Sequence, residues 1–188
     1  HRRNMKLFHP LMTDATQRGT SLIEILVSLV VLTVGLLGTA RLQAVSLRAA
    51  TDSGNLGMAV RVAYDVADRI RLEPAQLNTF ITSSALDLSA NSSSACYSGT
   101  GCVGTDRVRA GVAEWQRLLA AQLPGGVGIV CRDATPSDGS QPADAQCSGG
   151  ANDPLVVKVW WRARALQDAS AASATGVEMQ RFVAIVGL

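Results

Sequence analysis

Charge is scarce in this 188-residue chain: only 17% of its residues are Asp, Glu, Lys or Arg, and aromatic residues make up 4%. Histidine is scarcer still, with His1 and His9 the two present. Both lie in a short basic head, so the body carries no histidine to serve as a general base or a metal ligand. No Ser-His-Asp arrangement, glycine-rich phosphate loop or paired-carboxylate motif stands out, so no catalytic residue, cofactor or metal site is assigned. The formal net charge of +2 is unevenly divided: residues 1–19 hold Arg2, Arg3, Lys6 and Arg18 against Asp14, leaving 13 basic and 14 acidic groups beyond. Such a body lacks the clustered positive charge on which counterion release depends, which excludes nucleic acid as a partner. A hydrophobic share of 47% is too high for a disordered chain.

What the chain does have is one long apolar run. Residues 25–40 contain no charge, and from Thr20 the stretch is 21 residues with Glu24 as its single ionisable group. As a helix it measures about 31 Å at 1.5 Å per residue, enough for a hydrocarbon core of about 30 Å. Basic residues before it and a near-neutral body after it place the N-terminus in the cytoplasm and the body outside. The chain starts at His1 rather than Met, and Met5 is read as nearer the natural start. A cleaved signal peptide would use Gly38-Thr39-Ala40 as its small-x-small site. A permanent anchor would keep the segment. Neither explains Glu24, whose carboxylate costs about 3 kcal/mol on insertion scales and so needs a partner or a role.

The run Arg18-Gly19-Thr20-Ser21-Leu22-Ile23-Glu24-Ile25-Leu26-Val27 resembles the processing site of type IV prepilins. In that family a short basic leader ends in Gly, and the cut comes before the apolar helix. The resemblance implies cleavage between Gly19 and Thr20 by a prepilin peptidase, which also methylates the new Thr20 amine, and it makes Glu24 the fifth mature residue. Thr20 replaces the aromatic or Met commoner there. The stretch 29–38 followed by Arg41-Leu42-Gln43, with Glu114-Trp115-Gln116 and Leu123-Pro124-Gly125-Gly126 further on, is similar to minor pilins of the PilV type. That resemblance implies an α+β, lollipop-shaped pilin fold and a subunit that helps start a type IV pilus and enters it. Its implied partners are other minor pilins, the major pilin, a pilus-tip adhesin and the inner membrane. The implied location is the inner membrane before assembly and the filament, at its tip, afterwards. Glu24 is implied to pair with a neighbouring subunit's N-terminal amine.

The periodicity predicts one helix over 22–73, with Leu42, Val45, Ala49, Leu56, Ala59, Ala63, Val66 and Ile70 on one face, interrupted by Asp52. Pro74 ends it, and Gly54 and Gly57 weaken it by about 1 kcal/mol each. The division is thus a leader over 1–19, an assembly helix over 20–40, its continuation over 41–73 and a periplasmic head over 74–188. Within the head, 75–104 reads as a loop with one short strand. A helix capped by Thr105 or Asp106 runs to Gln122 with Val108, Val112, Trp115 and Leu119 on its apolar face. Strands are predicted over 127–131, 155–163 and 177–186, forming an antiparallel meander of three to four strands on the upper half of the long helix. In the second, Leu155, Val157, Val159 and Trp161 form the buried face. Trp160, on the outer face, is the candidate for a partner-facing anchor.

Four cysteines fall into two local pairs, neither with Cys-x-x-Cys spacing. An even count in an exported domain reads as two disulfides. Of three connectivities, Cys96–Cys102 with Cys131–Cys147 is preferred, since each closes a loop with little structure of its own. Asp133, Asp138, Asp144 and Asp153 crowd one loop but form no calcium ladder, and are read as solvated turn residues. Two other functions stay open: a minor pseudopilin of a type II secretion system, and a membrane-anchored extracytoplasmic binding module.

Overall fold

The computed structural model describes residues 21–82, 94–99, 101–164 and 177–187. Gly19 and Thr20 therefore lie outside the described residues, as does most of the connection predicted over 164–176. The fold is α+β, a long N-terminal helix followed by a three-stranded antiparallel sheet. Helix α1 (Leu22–Leu72) passes through Gly54 and Gly57 unbroken and stops two residues before Pro74. Among the described residues, those up to Leu47 form one compact unit and those from Arg48 onward another.

In the second unit, α1 buries Ala59, Val62, Ala63, Val66, Ala67 and Ile70. This seam is shorter and wider than the predicted stripe: Leu42, Val45 and Leu56 are exposed, while Val62 and Ala67 join the core. Small residues dominate it, which lets the helix approach its neighbours closely. After a 3₁₀ turn (Pro74–Gln76) comes the short helix α2 (Leu77–Phe80), and a second 3₁₀ turn (Ser94–Tyr97) precedes α3 (Thr105–Gln122). The strand expected within 75–104 is absent among the described residues there. Nor does Thr105 or Asp106 cap α3: Gly104 occupies that position and no side chain bonds the first turn. The apolar face of α3 is buried as read, with Ala110, Ala113 and Gln116 added. Trp115 is wholly buried and its indole N–H donates to the Val62 carbonyl at 2.9 Å, tying α3 to α1.

Pro124-Gly125-Gly126 turns the chain into the sheet, with Gly125 at φ 61° where a side chain would be strained. Strands β1 (Val127–Arg132), β2 (Leu155–Arg164) and β3 (Val177–Val186) pair antiparallel in sequence order. The register sets Ile129 opposite Lys158 and Trp160 opposite Arg181. Leu155, Val157, Val159 and Trp161 pack toward the helices in the main core. The outer edge of β1 is filled by the chain itself. Gln116 Nε2 donates to Gly128 O at 2.6 Å. Val130 exchanges bonds with Thr82, and Gly149 N–H donates to Arg132 O at 3.0 Å. An edge satisfied in this way offers no template for a further strand.

The second sheet face departs from the one-buried-face reading. Val156, Lys158 and Trp160 are as buried as their alternates, and Trp160 joins Ile129, Cys131 and Val156 in a second core cluster. The segment between β1 and β2 causes this. Its Ala145 and Cys147 pack on the cluster, and the Cys131–Cys147 disulfide fastens it there. Trp160 is therefore a core residue and cannot be a partner-facing anchor.

Candidate membrane and assembly segment

Every residue from 21 to 51 is exposed, and α1 is the one described helix with a stretch long and apolar enough to cross a membrane; its part before Arg41 carries Glu24 as its one charge. Large aliphatic side chains cover it all round: Leu22, Ile23, Ile25, Leu29 and Leu37 are each more than half exposed. A helix apolar on every side suits hydrocarbon rather than water. Three of its hydroxyls bond back to the helix. Ser28 donates to Glu24 O at 2.7 Å, Thr33 to Val30 O at 2.8 Å and Thr39 to Leu36 O at 2.9 Å. Such back-bonding gives each of these hydroxyls an acceptor within the helix, which a polar group in lipid needs.

Glu24 sits in the first turn of α1, where the helix dipole favours a negative charge. Its N–H donates to Ser21 O at 2.9 Å, and among the described residues its carboxylate has no ion-pair partner. The segment thus combines an apolar surface with one unpaired acid at its start. Gly35 and Gly38 have no neighbouring atoms near the position a Cβ would take, so neither marks a contact in the isolated chain.

The head holds a polar cluster that the sequence reading missed. Lys158, in mid-strand, is wholly buried, as is Asp133, and the two form an ion pair. Lys158 Nζ also donates to Asp138 Oδ1 at 3.0 Å, Asp138 O at 3.1 Å and Ala145 O at 2.8 Å. The Thr135 hydroxyl, and next Lys158, hold the Asp138 carboxyl below the usual carboxylate range. Arg181 of β3 adds bonds to the carbonyls of Ser137, Asp138 and Gly139. Asp133 is therefore not a solvated turn residue, and Asp138, partly open to solvent in its turn, also pairs with Lys158. Asp153 is a turn acid that accepts from the Gly150 N–H and the Ser148 hydroxyl, and Asp144 accepts from Gln146. The available signal was a lysine within Val156-Val157-Lys158-Val159-Trp160, a position that costs too much to bury without an acid.

Both disulfides join sequence neighbours, Cys96 to Cys102 and Cys131 to Cys147. The first lies beside α3, where Arg117 donates to the Tyr97 hydroxyl at 3.1 Å, a bond that raises the Arg117 pKa. Among the described residues no group of three or more His, Cys, Asp or Glu is placed to hold a metal ion. Comparison with models of known protein families, with curated proteins and with solved structures finds no match for this chain.

Proposed function

We propose that this chain is a minor pilin: a prepilin peptidase processes it, and it takes part in starting a type IV pilus and is incorporated into it. The observation that carries the reading is the coincidence at one end of α1. A basic leader ending in Gly19 is followed by Thr20 and by Glu24, at the start of an exposed helix free of other charge as far as Ala40. An apolar helix alone would serve any anchor. A lone acid five residues after a protease-compatible glycine has a use in assembly.

Cleavage before Thr20 creates an α-ammonium close to Glu24, and both charges are poorly solvated at the membrane. In a bundle, the carboxylate of one subunit takes the amine of the next, which sets axial register while the aliphatic surface supplies packing. The N-terminus lies in the cytoplasm and the head in the periplasm before assembly. Methylation of Thr20, contact with other minor pilins and the major pilin, and support of a tip adhesin belong to the same reading.

The test replaces Glu24 in a strain lacking the wild-type protein and compares membrane with sheared-filament fractions. Glu24→Ala leaves export, cleavage at Gly19 and both disulfides intact but lowers incorporation and surface piliation. Glu24→Asp, one methylene short, is intermediate. Normal piliation by the Ala variant refutes the pairing. N-terminal sequencing of the membrane-extracted protein checks the cut independently: Thr20 must be the first residue.

A further inference from the structure

Lysine is almost never fully buried unless its charge is paired. Lys158 is fully buried, in the middle of β2, and its Nζ touches Oδ2 of the equally buried Asp133, just past the end of β1. That oxygen accepts no hydrogen bond, so amine and carboxyl meet without the alignment of an ordinary charge-assisted bond. The carbonyls of Ala145 and Asp138 hold Nζ from other directions, at 2.8 and 3.1 Å. A third group, the Asp138 carboxylate, reaches the same nitrogen at 3.0 Å and is partly open to solvent. Ile129, Val156 and Trp160 line this face of the sheet and keep water out.

We propose that Lys158 and Asp133 condense to an intramolecular isopeptide bond, with Asp138 relaying the proton. The step begins with one proton passing from Nζ to Asp133, which leaves an amine and a carboxylic acid in contact where water is excluded. The Nζ lone pair attacks Cγ of Asp133 and the C–N bond forms. Asp138 takes a proton from the nitrogen and returns it to the departing oxygen, the C–O bond breaks and water leaves. Ammonium and carboxylate have become amide and water, Asp138 is again a carboxylate, and no oxidant or reductant takes part. Two groups fixed in contact need no encounter step, which is the advantage intramolecular reactions have over the same chemistry in solution. The inference rests on this cluster alone and does not depend on the pilin reading. In a filament subunit the bond would fix the β1–β2 segment independently of Cys131–Cys147.

The test is mass spectrometry of the full-length protein, denatured, reduced and alkylated. The wild type is expected to be one water lighter than its processed sequence. Trypsin is expected to fail after Lys158 and to release residues 133–162 as one internally bridged peptide, a water lighter than its sequence. Lys158→Arg and Asp133→Ala each restore the full mass. A deficit that survives either change overturns the assignment. Asp138→Ala leaves the pair in place and is expected to slow bond formation at least tenfold, followed as the linked fraction against time after synthesis. Linkage at the wild-type rate in that variant overturns the relay. A wild-type protein of full mass, cut normally after Lys158, overturns the proposal whether or not any variant folds.

Discussion

Gly128→Ala tests how α3 is locked onto the sheet. A Cβ on Gly128 would overlap Cη2 and Cζ2 of Trp115 and a methyl of Leu119. None of these can yield easily. Trp115 and Leu119 are fully buried, and the indole is tied to Val62. The Gly128 backbone is equally fixed, between Val159 in the ladder and Gln116 on its carbonyl. Overpacking of this kind costs about 1–3 kcal/mol, and with two immobile side chains against a fixed backbone the upper end, about 3 kcal/mol, is expected. Phenylalanine at 115 lacks the two ring atoms that meet the new methyl. Trp115→Phe alone loses the bond to Val62, worth about 1 kcal/mol, and leaves a void worth about 1–2 kcal/mol more. In the double variant the Trp115 clash is gone and the methyl fills that void, so its loss falls short of the sum by at least about 1–2 kcal/mol. The assay is urea unfolding of the disulfide-intact chain in detergent, followed by the fluorescence of Trp160 and Trp161. Both are buried and remain in every variant. Strict additivity, or a Gly128→Ala protein within about 0.5 kcal/mol of wild type, refutes the reasoning.

Two further outcomes follow from the β1–β2 segment and the bridges. Because the Asp138 carboxyl is depressed, first by Thr135 and then by Lys158, its contribution to stability is present above the ordinary Asp value and is lost as pH falls through its folded value. Thr135→Val raises the Asp138 midpoint in a carboxyl-carbon NMR titration and flattens the acid limb of the stability curve; an unmoved midpoint counts against the assignment. Removing Cys131–Cys147, whose partners are 16 residues apart, costs about 3 kcal/mol in the chain-entropy estimate, against about 2 kcal/mol for Cys96–Cys102, whose partners are 6 apart. Serine pairs at the two sites, compared by urea midpoint, should rank in that order.

The elements that were legible in the sequence are those decided locally. The charge-free run and its Glu24 are readable because a membrane-length helix needs nothing beyond its own residues and the absence of charge. Pro74, Pro124 and the adjoining glycines mark where helices must stop, since backbone sterics act at the residue itself. Alternation of Leu155, Val157, Val159 and Trp161 with Lys158 and Arg162 identified β2 and its helix-facing side, and neighbouring cysteines close short loops. Tertiary structure alone decided how far burial extends. Alternation says that two faces differ, but not that the segment after β1 returns over the second face and makes Trp160 core. Lys158 looks like a solvent-facing strand lysine until Asp133 and Asp138 arrive from another loop, because a buried charge is tolerated only through partners distant in the chain. In the same way the buried seam of α1 ends with the sheet and α3 that cover it, not where its own apolar periodicity ends. Periodicity records what a helix can bury, and the packed neighbours determine what it does bury.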